Sequence, residues 1–242
     1  MTQEAFKPLA PTDSFRFSCS ATVPCFNDCC RDLNQFLTPY DILRIKSGLG
    51  LASDLFLRRY TTTHTGPETG LPVIAFKTTP EKMHKCPFVS QSGCRIYENR
   101  PSSCRMYPLV RAVSRSRATG CVTEHFGLLQ EPHCLGHFQQ RTQTVAAWIE
   151  AQGLRSYLFY NDLLLTLIHR KNAMKPGPLE ADERRRIHLA LYNLDAFRTL
   201  AFENGFFKKL SIDSAIYAQA RQKDTALLKV GINWLEKTVF NR

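Results

Sequence analysis

The chain has 242 residues, of which 43% are hydrophobic and 22% charged, and it carries a formal net charge of +11. That composition supports a buried core, as one large domain or two small ones, and excludes wholesale disorder. Residues 1–14 lack the apolar segment of a secretory signal, and the strongest apolar run, Leu163 to Ile168, is too short to span a bilayer, so a cytoplasmic protein without a membrane partner is expected.

In chain order, Thr38 followed by Pro39 predicts a capped helix that stops at Gly48. Ser53 is the expected cap of a second helix through Arg59. Residues 61–70, rich in Thr, Gly and Pro, read as a loop, and residues 71–77 as a strand. Residues 110–114 and 121–129 suit a hairpin around Arg117, Ala118, Thr119 and Gly120. A helix over 144–152 ends at Gly153. Leu154, Tyr157, Leu158, Leu164, Leu165 and Ile168 recur at helical spacing before the Pro176–Pro178 break. Residues 179–202 carry one apolar stripe through Ile187, Leu191, Leu194, Phe197 and Leu200, and Asp224 is the expected cap of a last helix to Thr238. Such stripes usually face a core.

All nine cysteines lie between Cys19 and Cys134. In a reducing compartment that pattern reads as metal binding before disulfide. Ligation deprotonates the sulfurs, so two four-thiolate zinc sites would lower the net charge to roughly +7, much less diagnostic of a nucleic-acid partner. The first cluster is Cys19, Cys25, Cys29 and Cys30. Closely spaced thiolates suit zinc or the irons of an iron–sulfur cluster. The side chains of adjacent Cys29 and Cys30 diverge unless the backbone turns sharply, so they could serve different metals or different irons of one centre. The second cluster is Cys86, Cys94 and Cys104, folded back by Gly93 and Pro101, with Cys134 as its natural fourth ligand. Cys121 is left over. The bland alternative is a set of buried cysteines acting as small hydrophobes.

On these residues the sequence resembles the YkgJ-type cysteine-cluster family of zinc- or iron-chelating domains. The resemblance rests on Cys29-Cys30, Cys86-Pro87, Gly93 through Pro101, and Cys104-Arg105, and runs from about Phe17 to His137. The family's opening knot has gaps of two residues, where this chain has five and three. The resemblance implies metal chelation without fixing the metal. A similar cluster in flagellin lysine N-methylases implies an enzymatic alternative, protein modification at the metal centre.

His125, His133 and His137 lie near Cys121 and Cys134, and His133 and His137 would share a face on a helix. They are expected to support the centre rather than to ligate it. His64, His84, His169 and His188 belong to no constellation. Arg95, Arg100, Arg105, Arg111, Arg115 and Arg117 concentrate charge around the second cluster. They are expected to donate to thiolates and offset their charge, with an anion or nucleic-acid groove and a solvated face as alternatives. Tyr97, Tyr107 and Phe88 are expected to shield the centre. The run Arg184 to Arg186 opens a helix and reads as exposed. Cys121 is expected to be a buried strand residue, with a reactive thiol as the alternative.

The whole reads as an α+β protein: a small metal-organised, Cys-rich domain of short strands and helices over residues 15–140, then an α-helical region over 141–242. Its expected cofactor is zinc or an iron–sulfur cluster held by Cys19, Cys25, Cys29, Cys30, Cys86, Cys94, Cys104 and Cys134, in a structural, redox or metal-handling role. The alternatives are a methylase-like enzyme and a basic nucleic-acid or protein adaptor with structural zinc. A protein partner stays open, and nucleic acid is not favoured.

Overall fold

The computed structural model describes residues 6–31, 34–116, 119, 121–202 and 213–240. The chain is α+β: short strands in four small sheets, and helices that dominate the C-terminal part. Its contacts divide it into two compact units, one from Met1–Leu33 and Pro80–Tyr157, the other from Asn34–Thr79 and Leu158–Arg242. This division does not coincide with the sequence boundary near residue 140. Residues 34–79 pack with the helices, and residues 141–157 pack with the cysteine segments.

The first unit contains every cysteine. Strands β1 (Phe6–Leu9), β8 (Leu109–Arg115) and β9 (Val122–Leu129) form a sheet of order β1-β9-β8, antiparallel throughout. The expected hairpin is present, with Leu109 opposite Leu128 and Arg115 opposite Val122. Three of its turn residues, Arg117, Ala118 and Gly120, lie outside the described residues. A second ladder pairs β2 (Ser14–Arg16) with β10 (Thr142–Thr144). Two-residue strands β6 (Val89–Ser90) and β7 (Gly93–Cys94) make a tight hairpin. Helix α3 (Ser102–Met106) follows. Helix α4 (Val145–Ala151) is capped by Thr144, whose hydroxyl accepts from the Ala147 N–H at 3.1 Å, and ends at Gly153 with φ +60°.

In the second unit, α1 (Pro39–Gly48) has the expected Thr38 cap in reciprocal form, Thr38 and Asp41 each accepting from the other's backbone N–H. Ser53 does not cap α2 (Ser53–Tyr60) but is its first residue. Its hydroxyl instead donates to Asp195 at 2.8 Å. The expected loop at 61–70 is half strand: β4 (Thr61–Thr65) pairs with β5 (Pro72–Phe76), which also pairs with β3 (Phe36–Leu37). Four of its five residues are β-branched threonines, which fit a pleated surface. Helix α5 (Arg155–Met174) extends past the expected stripe, its residues from Leu158 onward belonging to this unit.

The single helix expected over 179–202 is two, α6 (Ala181–Leu191) and α7 (Leu194–Phe202). The chain turns at Tyr192–Asn193, where the Asn193 side chain accepts from the Ala196 N–H. Helix α8 (Ser214–Gln222), capped by Asp213, was not foreseen. Asp224 is the first residue of α9 (Asp224–Thr238), not its cap, and its carboxylate binds Lys46 at 2.6 Å and also Arg198. The stripe residues Ile187, Leu191, Leu194 and Phe197 are buried, as a core face requires. Among the described residues no helix is long and apolar enough to cross a membrane.

Candidate metal centre

The cysteine-bearing segments are short on regular structure and are tied together by main-chain bonds and aromatic packing. Phe17, 3% exposed, stands edge-on or tilted to Tyr107, His137 and Trp148 at ring-centre distances of 5.9, 5.4 and 5.6 Å. The Trp148 indole N–H donates to the Met106 carbonyl at 3.1 Å. Beside this aromatic floor the Phe17 N–H donates to the Arg141 carbonyl and the Ser18 N–H to the Gly136 carbonyl. Cys19 is thereby set next to the turn that carries Cys134.

That approach depends on Gly136. A Cβ there would lie 2.5 Å from the Phe17 ring and 3.0 Å from the Ser18 carbonyl. Cys25 reaches the same turn, its sulfur accepting the Leu135 N–H at 3.1 Å. Cys134 itself is buried.

A second set of ties joins the Cys29–Cys30 turn to the Cys86–Cys94 hairpin. The Cys86 N–H donates to the Cys30 carbonyl at 2.9 Å, and the Asn27 amide donates to the Ser90 carbonyl at 3.1 Å. Gly93, with φ +114°, turns the hairpin where a Cβ would meet the Phe26 ring at 3.1 Å. Only glycine takes that conformation without strain. Cys104, exposed on α3, lies within electrostatic reach of Cys30.

The thiols perturb one another. Burial, then Cys29, Cys25 and Cys134, push Cys19 up to about 11. Burial dominates at Cys86, also pushed to about 11, where Cys94 adds to it. Cys29 is pulled below the ordinary thiol value by a hydrogen bond from Cys30, which as donor is held well above it. Cys94 and Cys134 are raised chiefly by burial. Thiolates brought together in this way repel; a bound cation turns that repulsion into attraction.

The arginines play a different part from the one expected. Arg100 and Arg105 are buried, 9% and 8% exposed, so neither can line an open anion groove. Arg105 donates to the Arg100, Gln152 and Glu98 carbonyls and lies over the Tyr157 ring. Arg100 donates to the Tyr97 carbonyl and the Gln152 side chain and stacks on Tyr97 at 3.8 Å. Arg95 donates to the Pro87 carbonyl, and Arg111 pairs with Glu124 across the hairpin. Arg95 and Arg100 still favour ionised Cys94 by charge. Arg115's side chain and the whole of Arg117 lie outside the described residues. Of Arg184 to Arg186, the latter two are exposed and pair with Asp182.

His125, His133 and His137 have partners of their own. His125 bonds Ser114 at 2.9 Å across the hairpin, and exposed His133 stands 3.7 Å from Glu131. His137 lies in a short 3-10 turn that excludes His133, so the two share no helical face. Its ring packs on Phe17, and burial lowers its proton affinity. Cys121, expected in a buried strand, is exposed just before β9. Phe88 is buried, whereas Tyr97 is 56% exposed.

Tyr107, expected to shield the centre, also meets Cys134, a pairing not anticipated from the sequence. Its buried hydroxyl has no partner at regular hydrogen-bond geometry and is acted on by Cys134 and Glu131. Burial first, then Cys134, hold the phenol well above its ordinary value. Nothing in a Cys-Arg-Met-Tyr-Pro string announces that pairing, which joins residues far apart in sequence.

In type the donor set fits a thiophilic metal. Soft sulfurs come from several segments, Cys25 already accepts a main-chain N–H, and the neighbouring arginines offset negative charge. Among the described residues no three His, Cys, Asp or Glu side chains stand ready around one ion. The thiols instead meet in pairs, Cys29 with Cys30 and Cys25 with Cys134, so coordination requires rotation about their side-chain bonds.

Residues 18–135 match the sequence model of the CxxCxxCC family, described as "Putative zinc- or iron-chelating domain". The match opens just before Cys19 and closes just after Cys134, so it takes in all nine cysteines. No curated protein and no solved structure matches the chain.

Proposed function

We propose that Cys19, Cys25, Cys29, Cys30, Cys86, Cys94, Cys104 and Cys134 hold zinc or an iron–sulfur cluster whose role is structural, a reading supported by the match of residues 18–135 to the CxxCxxCC family of chelating domains. The observation that carries this reading is the gathering of thiols from separate segments, each within hydrogen-bond or electrostatic reach of another. Residues 18–31 and 77–108 contain only 3-10 turns, two-residue strands and the five-residue α3. Segments so poor in backbone hydrogen bonding gain most from a metal that links them, because binding free energy is then folding free energy.

Bound there, the metal supplies cross-linking and charge neutralisation. The protein supplies thiolates, a main-chain N–H at Cys25, arginine charge near Cys94, and an aromatic floor beneath Cys19 and Cys134. Burial of Arg100 and Arg105 weighs against the nucleic-acid adaptor.

X-ray absorption at the zinc and iron edges of protein purified without oxygen tests the reading. A first shell of sulfur alone at about 2.3 Å for zinc, or sulfur with a short iron–iron vector, is expected. A shell dominated by oxygen or nitrogen would overturn it.

A further inference from the structure

Within the helical unit, α5 and α9 meet where the Tyr160 hydroxyl donates to the Thr225 carbonyl at 3.4 Å. The Tyr160 ring stacks on Tyr40 at 4.4 Å, and the neighbouring Phe159 is left 48% exposed. Beside this contact the two helices bound a groove of about 220 Å³. Phe159, Leu163 and Thr166 line it from α5, four and three residues apart and so on one helical face. Ile232 of α9 is buried at its floor.

The rim belongs to α9. Lys229, Asn233 and Glu236 are again four and three residues apart, which puts a cation, an amide and a carboxylate in a row about 10 Å long. The Lys229 ammonium stands over the Phe159 ring at 4.9 Å and the Tyr160 ring at 5.7 Å. Among the described residues none of the three has an ion pair or hydrogen bond, whereas Asp224 on the same helix pairs with both Lys46 and Arg198.

Unpaired surface charges are ordinary; the order of these groups is what distinguishes them. A row of cation, amide and carboxylate complements itself when reversed. A twofold axis through Asn233, perpendicular to α9, sets Lys229 opposite Glu236 of the second copy and Glu236 opposite its Lys229. Asn233 then meets its own counterpart, and a carboxamide carries both donors and an acceptor, so the pair satisfies itself. The two grooves come face to face, and Phe159 and Leu163 leave water. An unrelated helix needs a charged row of the matching order to fit here, and the chain itself already carries one.

We propose that this groove is a self-association surface, on which a second copy of the chain docks with α9 antiparallel to α9 through reciprocal Lys229–Glu236 pairs around Asn233. The exposed ion pairs fix the orientation and add little affinity, which comes from the aromatic and leucine side chains. A groove of this size is small beside the roughly 1,200–2,000 Å² buried in a stable complex, so the dimer is weak and depends on concentration.

Sedimentation equilibrium of the full chain under reducing conditions tests this. The mass is expected to rise with concentration from 27.6 kDa toward twice that value. Lys229→Glu or Glu236→Lys creates two like-charge pairs across the axis, and each is expected to weaken the dimer roughly tenfold. Mixing the two single variants is expected to restore association, because every carboxylate then meets an ammonium, and the double reversal in one chain is expected to do the same. A wild type that stays at 27.6 kDa up to about 0.3 mM overturns the proposal. So does a dimer that both reversals leave as tight as wild type, or one that mixing fails to restore. If either reversal fails to fold by circular dichroism, Asn233→Asp at its exposed position sets two carboxylates at the axis. That variant is likewise expected to weaken the dimer, and an unchanged affinity overturns the proposal.

Discussion

At Cys134 the decisive neighbour is a phenol. The buried Tyr107 hydroxyl lacks a regular partner and faces a sulfur that becomes an acceptor once ionised. Removing an outer-shell donor of this kind costs about 10- to 100-fold in metal affinity. Tyr107→Phe is therefore expected to weaken zinc by that factor and to shift the sulfur charge-transfer band of the cobalt-substituted protein. A variant with unchanged affinity and band would show that the hydroxyl only fills space. At this scale the sequence disclosed the ligand types, because clustered cysteines have few other uses. It disclosed neither their partners nor the exposure of Cys121, since both depend on which distant segments fold together. The arginines illustrate the same limit: charge density near Cys104 was legible, but the burial of Arg100 and Arg105 against main-chain carbonyls was not.

Between elements, two contacts decide whether the pieces meet. The first is the passage of Phe17 and Ser18 over Gly136. Gly136→Ala must push the Phe17 ring or the chain aside, an overpacking that costs about 1–3 kcal/mol. A denaturation midpoint unchanged from wild type would contradict this close fit. The second is Asp195, on α7, which accepts from the Ser53 N–H at 2.6 Å and its hydroxyl at 2.8 Å and pairs with Lys46 at 3.2 Å. Burial pushes this carboxyl up, but those donors outweigh it and hold its acidity constant below the ordinary carboxylate range. A depressed folded value means stabilisation that is complete above the unfolded value near 3.9 and lost as pH falls through the folded one. Asp195→Asn is expected to cost on the order of 1 kcal/mol at pH 7, the carboxylate being 40% exposed, with the gap to wild type closing below about pH 4. A gap that persists unchanged at pH 3 would show that charge plays no part. The elements legible in sequence were those with local signals, such as the Thr38 cap, the Gly153 stop and the 110–129 hairpin. The break at Asn193 and strand β4 were not, because a side-chain cap and a pairing partner decided them.

For the molecule as a whole, the unit with the cysteines is the one proposed to depend on metal, and the other is built on a helical core. Trp148 reports on the first and Trp234 on the second, and both are buried. In a Trp234→Phe background, chelation is expected to shift Trp148 emission to the red while the far-ultraviolet helical signal, carried mostly by α5 to α9, changes little. Loss of both signals together would place the metal's support in the second unit as well. The boundary between the units escaped sequence reading because cysteines mark where metal is held, not which of the intervening segments pack beside it. Residues 34–79 lie between two cysteine clusters yet contribute their apolar faces elsewhere. The central claim, that these thiols hold metal, is tested most directly by elemental analysis of protein purified anaerobically, wild type beside Cys29→Ser/Cys104→Ser. Stoichiometric zinc or iron in the wild type, falling in the double variant, is the expected result. A wild type free of both metals, with a double variant that folds equally well, would contradict it.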